Sequence, residues 1–201
     1  AASIVQSVIE PGSTGVGGDC FALISLNNRK TISVNGSGIT PNKLSLEYLK
    51  EKGIKKIHTM SPHAVTVPGA VHAWYSIHKK FGKLDFEQLF ITAEKYARNG
   101  YPVHEVTAKS WDKNIDKIIS NKYTKKIFSK NNKAYQFGEI HKNIQLADTL
   151  KSIAKNNIKD FYDGYITKDL VNTLNQLGGL HTIDDFQKQE TIFSNTISSD
   201  Y

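Results

Sequence analysis

Glu10-Pro11-Gly12-Ser13-Thr14-Gly15-Val16-Gly17-Gly18-Asp19-Cys20-Phe21 is the stretch from which the rest of the chain is read. An apolar run (Ile4, Val5, Val8, Ile9) precedes it, and a β-like run from Phe21 to Ile24 follows it. Four glycines in seven residues free the backbone to take positive φ and to pass close to another segment or a ligand. The stretch therefore reads either as a tight connector between core elements or as a pocket wall. It is not a familiar phosphate cradle. No Gly-Lys-Ser/Thr follows, the glycines do not space as Gly-x-Gly-x-x-Gly, and the strand comes after them rather than before.

Outward from this stretch, Phe21–Leu26 and Lys30–Val34 read as two strands joined at Asn27-Asn28. Ile32 and Val34 alternate with Thr31 and Ser33 in the second strand. That hairpin delivers Asn35-Gly36-Ser37-Gly38-Ile39-Thr40-Pro41 to its end. A short helix is predicted from about Leu44 to Lys52, stopping at Gly53. Val65 and Val67 alternate as a strand does until Pro68, after which Val71, Trp74, Ile77 and Phe81 predict a helix closed by Gly82. Asp85 with Gln88 reads as a capping box for the next helix, which ends at Asn99-Gly100. Further helices are predicted at about 104–121, 143–156 and 166–177. Thr182 with Asp185 caps another, Asn131-Asn132-Lys133 marks an exposed loop, and Thr191–Ser198 turns β-like again. Strands followed by a long helical run and a final strand point to an α+β or a layered α/β class.

The totals limit the function classes. The chain has 201 residues, 39% of them hydrophobic, with nine Phe, nine Tyr and two Trp as core material. No apolar run approaches the ~20 residues of a membrane span, so none is expected in this stretch. The chain opens on Ala1-Ala2-Ser3 without Met or a basic region, which reads as an internal starting point with any targeting signal outside it. The net charge of +7 comes from 24 Lys and only two Arg. Residues 109–133 hold eight Lys, but Lys109, Lys113 and Lys117 recur every four residues beside Ile115, Ile118 and Ile119. That is a solvated helix face rather than a phosphate track, which would favour Arg with stacking aromatics. No nucleic-acid partner is expected.

Few residues suggest chemistry by spacing. The seven histidines (58, 63, 72, 78, 104, 141, 181) have no acidic companion at metal-ligand spacing, so packing or surface roles are expected and no metal or cofactor is assigned. Cys20, the single cysteine, lies at the edge of a buried strand, where a small apolar side chain packs well. It serves as a nucleophile only with a histidine brought beside it. Ser13, Thr14 and Ser37 carry hydroxyls on Gly-rich turns, either lining a pocket or bonding the local backbone.

Taken together, the motifs resemble the large-subunit region of the γ-glutamyltranspeptidase family over nearly the whole chain. The Gly-rich stretch and Asn35–Pro41 are joined by Val65-Thr66-Val67-Pro68-Gly69-Ala70-Val71-His72-Ala73-Trp74, Phe81-Gly82-Lys83-Leu84 and Ala97-Arg98-Asn99-Gly100-Tyr101-Pro102-Val103. Gln145–Leu150, Asp160–Gly164 and Gly178–Phe186 complete the set in order. The resemblance implies an N-terminal-nucleophile hydrolase with an αββα sandwich, of which residues 1–201 are a fragment of one domain, incomplete at both ends. It implies a precursor that cleaves itself to expose a threonine, whose free α-amine serves as its base. That threonine is expected beyond Tyr201, on a small-subunit segment that is the chain's implied partner, so no catalytic residue is assigned here. The implied reaction is hydrolysis or transfer of γ-glutamyl groups from glutathione-type amides through an acyl-threonine. Two alternatives stand beside it: a related amidohydrolase or acylase, similar to oxamate amidohydrolase or cephalosporin acylase, with no γ-glutamyl preference, and a non-enzymatic binding or structural remnant lacking the threonine. The implied compartment follows the branch, periplasmic or extracellular for a γ-glutamyl enzyme and cytoplasmic for an amidohydrolase. The family's γ-glutamyl enzymes carry an arginine for the substrate α-carboxylate in the loop matching Asn35–Pro41, and Ser37 falls at that position. Ser37 is therefore the assigned substrate-binding residue, although a hydroxyl cannot supply arginine's bidentate charged clamp.

Overall fold

The computed structural model describes residues 1–26 and 30–199, so the turn expected at Asn27-Asn28 lies outside the described residues. In chain order come α1 (Ala2–Ile9), β1 (Cys20–Ile24), β2 (Ile32–Gly36), α2 (Leu46–Glu51), α3 (Ala70–Phe81), α4 (Ile91–Asn99) and β3 (Tyr101–Pro102). Next are α5 (Glu105–Lys113), α6 (Ile115–Ile119), α7 (Lys122–Phe128), β4 (Ser129–Lys130), β5 (Lys133–Ala134) and β6 (Ile140–His141). The chain continues through α8 (Ile144–Asn156), α9 (Lys159–Asp163), α10 (Tyr165–Gln176), α11 (Ile183–Gln187) and β7 (Ile192–Asn195). The class is α+β, as expected. Two compact units are formed, residues 1–15 with 84–155 and residues 16–83 with 156 onward, and one crossing between them falls inside the Gly-rich stretch.

The first unit is mainly helical. The opening apolar run forms α1, which buries Ile4, Ser7 and Val8 against α4, where Ala93 and Ala97 let the backbones approach. The capping box expected at Asp85 does not form. Asp85 instead accepts from the Gln88 side chain, residues 86–89 take a 3-10 turn, and α4 starts only at Ile91. The long helix expected at 104–121 is broken at Asn114, whose side-chain amide donates to the Ser110 carbonyl and competes with the helical ladder. Asn121 then caps α7, accepting from the backbone of Tyr123 and Thr124. Asn131 and Asn132 both take positive φ (53° and 61°), as a two-residue hairpin turn requires, so the expected loop is the tip of β4–β5.

His141 lies at the centre of this unit and is only 1% exposed. Phe128, Trp111, Tyr135 and Tyr101 surround it, with ring centroids 5.0–5.6 Å away. Its Nε2 lies 3.0 Å from the Ile127 carbonyl, which makes Nε2 the protonated nitrogen, while the buried Nδ1 has no hydrogen-bond partner among the described residues. Burial pushes the imidazole pKa down, against a smaller upward pull from the Ile127 carbonyl.

The second unit carries a three-stranded antiparallel sheet in the order β1-β2-β7. Phe21 pairs with Asn35, Leu23 with Ser33, and Ser33 with Ser194. Helix α3 crosses the face formed by Ala22, Val34 and Phe193, burying Ala70, Val71 and Ala73, while Phe81 meets Phe193. Helices α9, α10 and α11 bury Phe161, Ile166, Val171 and Phe186. The expected capping box is present, with the Asp185 carboxylate accepting from the Thr182 N–H and hydroxyl. Residues 65–69, expected to begin as a strand, join no sheet. The alternation of Val65 and Val67 reflects a single rung, in which the Val67 N–H donates to the Ile39 carbonyl at 2.9 Å.

The start of α3 is held by backbone rather than by a capping side chain. The Gly18 carbonyl accepts from the N–H groups of Gly69 (3.0 Å) and Ala70 (2.8 Å), and the Tyr162 hydroxyl accepts from His72 N–H while donating to Pro68 O. These partners satisfy donors that a helix start leaves open. A Cβ on Gly69 would stand 2.1 Å from Gly36 O, and one on Gly36 would stand 2.5 Å from the Ala73 Cβ. Gly69 has φ −97° and ψ −26°, which any residue adopts, so a substitution there meets a purely steric cost.

Gly69→Ala is therefore expected to destabilise the protein by about 1–3 kcal/mol, seen as a lower urea midpoint, and an unchanged midpoint would remove the crossing as a stability determinant. His141 gives a pH dependence. Its native pKa lies below the ordinary value of about 6.5, so between the two the unfolded chain binds more protons and stability falls as pH drops through that window. His72 and His181 share this direction. The urea midpoint should fall between pH 8 and pH 5, and His141→Gln should reduce that fall while lowering the pH 8 value. An undiminished fall would exclude His141 as a contributor.

Candidate functional site

The assigned residue, Ser37, sits one step beyond β2 on a loop whose backbone is fixed from three directions within the second unit. Its N–H and its hydroxyl both donate to Asn35 Oδ1, at 2.9 and 2.7 Å, closing a local turn. The next amide, Gly38 N–H, donates to Asp19 Oδ1 at 2.7 Å. Gln189 spans the following step, its Oε1 accepting from Ile39 N–H at 3.1 Å and its Nε2 donating to Ser37 O at 2.9 Å. From the third side Val67 bonds Ile39 O, and a Cβ on Gly38 would fall 1.8 Å from Val67 O. Only glycine fits there, because the two backbones touch. Further along, Asn42 N–H donates to Asp185 Oδ1. Burial alone would raise the Asp185 carboxyl, but the Asn42 and Thr182 donors hold it below its usual value.

The other hydroxyls of the Gly-rich stretch are not part of this loop. Ser13 and Thr14 belong to the first unit, where their N–H groups and the Thr14 hydroxyl bond Glu10 O and close a turn after α1. The positive φ expected of Gly12, Gly15, Gly17 and Gly18 is not used at any of them, and a Cβ at Gly12 or Gly17 would meet nothing within 4 Å. Close approaches around the loop occur at Gly36, Gly38 and Gly69. What the stretch does supply is the Gly18 carbonyl for α3 and the Asp19 carboxylate for the loop.

Cys20 is half-buried, and burial pushes its thiol pKa up while a hydrogen bond with the Trp74 side chain opposes the rise. Such a thiol is a packing group rather than an activated nucleophile. The histidines mostly act as packing groups too. The Nε2 of His181 bonds Val65 O, and burial lowers its pKa. His72 is also lowered by burial, with Glu190 opposing, and its Nδ1 lies 2.8 Å from the Thr191 hydroxyl and 3.3 Å from that of Ser76. This imidazole–hydroxyl pair ties α3 to the segment leading into β7. The partners are 119 positions apart, so spacing gave no sign of it. Among the described residues no three His, Cys, Asp or Glu side chains converge as a metal site. Asp19 and Gln189 were likewise missed, because each acts through a contact to backbone far away in the chain.

The sheet face opposite α3 is open in this chain. Phe21 is 68% exposed, Leu23 72% and Ile192 60%, and they share that face with Ser33, Asn35 and Ser194. Phe21, Leu23, Ser33 and Asn35 border a shallow hollow there, and Ser37 follows directly from its end. The arrangement presents a rigid polar loop at the margin of an apolar sheet face. Chemically it can hold and orient a small polar substrate, while the described residues around the loop supply no activated nucleophile.

Comparison with known proteins places this geometry. A family model described as gamma-glutamyltranspeptidase matches residues 1–201. The chain is 34% identical over 202 residues to the glutathione hydrolase-like YwrD proenzyme of Bacillus subtilis, covering all of this chain and 38% of that protein. The structure superposes on γ-glutamyltranspeptidase of Helicobacter pylori with a TM-score of 0.93 at 25% identity, covering 99% of this chain and 58% of that one. It also superposes on cephalosporin acylase of Bacillus halodurans with a TM-score of 0.92 at 32% identity, covering 99% of this chain and 38% of that one. The chain thus spans about a third of the length of the curated relatives it matches. Its α+β fold is that of the N-terminal-nucleophile hydrolases, and the chain belongs to the γ-glutamyltranspeptidase family.

Proposed function

We propose that the chain is the large-subunit part of one γ-glutamyltranspeptidase-like domain, in an enzyme that hydrolyses or transfers the acyl group of a small amide. The nucleophile is a threonine on a small-subunit segment outside the present sequence, freed by self-cleavage and activated by its own α-amine. The acyl-threonine then passes to water or to an amine. The role of this chain is to shape the acyl pocket, and the observation that carries the reading is the Asn35–Pro41 loop. It is anchored by Asp19, Gln189 and Val67, so Ser37 is held in one geometry before substrate arrives. The open sheet face, where Phe21, Leu23 and Ile192 stand exposed side by side, supports the presence of a packing partner, because clustered exposed apolar side chains mark interaction sites.

Two named chemistries stand among the relatives, one of glutathione and one of a cephalosporin. The first makes the acyl group γ-glutamyl; the second drops that group and keeps the amide cleavage. Ser37 favours the second. Its side chain is neutral, and its hydroxyl proton is directed to Asn35, so the loop lacks the charged fork that would clamp an amino-acid α-carboxylate.

The full-length processed enzyme should therefore show a higher kcat/KM on simple acyl p-nitroanilides than on γ-glutamyl-p-nitroanilide. Strong preference for the γ-glutamyl compound would overturn this reading. Ser37→Arg should raise kcat/KM on γ-glutamyl-p-nitroanilide roughly three- to tenfold, mainly through KM. No change in either parameter would show that the loop does not line the pocket.

A further inference from the structure

The loop that holds Ser37 has already spent its backbone donors inside the protein. Ser37 N–H goes to Asn35, Gly38 N–H to Asp19 and Ile39 N–H to Gln189. The Ser37 hydroxyl donates to Asn35 as well. Apart from the neutral Asn35 side-chain NH2 group, what remains at the anchor is acceptor capacity. Asp19 is exposed and uses Oδ1 for Gly38, while its Oδ2 has no hydrogen-bond partner among the described residues. A carboxylate has about four lone-pair sites, so most of this one stays available. The neutral Asn35 amide beside it does not offset the charge.

We propose that Asp19 is a specificity-determining residue that makes the Ser37 subsite select an ammonium or other hydrogen-bond donor on the acyl group and reject a carboxylate. The proposal rests on the reading that the Asn35–Pro41 loop lines the acyl pocket. A substrate carboxylate arriving at Ser37 meets a fixed like charge one peptide unit away and none of the three backbone N–H groups free to receive it. An ammonium meets an open carboxylate oxygen. Asp19 thereby adds a repulsive element against one class of substrate beyond the missing arginine. It also competes for any cation placed at position 37, so Ser37→Arg acts partly against Asp19.

Three p-nitroanilides separate these terms on the full-length processed enzyme. The γ-glutamyl compound carries both an ammonium and a carboxylate, the 4-aminobutyryl compound only the ammonium, and the glutaryl compound only the carboxylate. The wild-type enzyme should favour 4-aminobutyryl over glutaryl by about tenfold or more in kcat/KM, chiefly through KM. Asp19→Asn retains Oδ1 as the acceptor for Gly38 and removes the charge. It should shrink that ratio about tenfold, chiefly through KM, and in its background Ser37→Arg should gain about tenfold more on the γ-glutamyl compound than it does alone. A wild-type preference for glutaryl, a ratio unmoved by Asp19→Asn, or an equal loss of kcat on all three substrates would overturn the role of Asp19. Should Asp19→Asn fail to fold or process, the wild-type ratio decides, since it should narrow as ionic strength rises and an exposed charge is screened. A ratio indifferent to salt would overturn the proposal. Turnover of none of the three compounds would overturn the proposed function itself, a result distinct from turnover with an unselective ratio.

Discussion

Two stretches of backbone touch at Gly36–Gly38 and Val67–Gly69, and the second unit is arranged around that contact. Side chains are excluded at three positions, since added Cβ atoms would fall 2.5 Å or less from neighbouring atoms. The crossing lets the start of α3 lie against the end of β2, so Gly18 O can receive the first amides of the helix. It also fixes where the chain leaves the sheet, and so where Ser37 stands. Interiors are packed densely enough that such a contact does not stretch gradually. The loop is therefore set by the fold and not by its own local preferences.

Polar groups buried near this contact are handled by a consistent device, in which a side chain replaces a missing backbone partner. Tyr162 takes the His72 amide at the start of α3, Gln189 bridges two loop residues as a strand would, and Asp185 collects Asn42 and Thr182. Each removes the penalty of an unsatisfied buried donor or acceptor. The buried histidines follow the same logic in neutral form. One ring nitrogen of His141 and of His181 reaches a carbonyl, and low solvation disfavours the charged state. Such groups add specificity of packing, and they leave each unit sensitive to acid, the first through His141 and the second through His181.

Selectivity at the loop follows from the same economy of donors. Anchoring a backbone segment consumes its N–H groups, so a loop held this firmly has little left with which to greet an anion. An arginine at position 37 would restore positive charge, in part against the pull of the Asp19 carboxylate. With serine there and a carboxylate at Asp19, the loop has the opposite polarity. Rigidity and substrate preference are thus two results of one set of hydrogen bonds.

The order of strands and helices, the helix ends at Gly82 and Gly100, and the Thr182–Asp185 cap were legible in the sequence, because each depends on residues within a few positions of one another. The α+β class and the family followed from motifs in their order along the chain, and Ser37 was found by its place in one of them. The breaks were less legible. Asn114 and Asp85 redirect local hydrogen bonds in ways that periodicity does not record, and α7 and α9 are too short to show a clear stripe. The Gly-rich stretch drew attention by composition, yet the glycines that let the two backbones touch are those at the crossing. Sequence by itself determined most of the longer helices, the β1–β2 hairpin and the final strand, and to which family the chain belongs. Only the tertiary structure decided that Asp19, Val67 and Gln189 meet at Ser37, because positions up to 152 apart become neighbours through backbone contacts that leave no periodic trace.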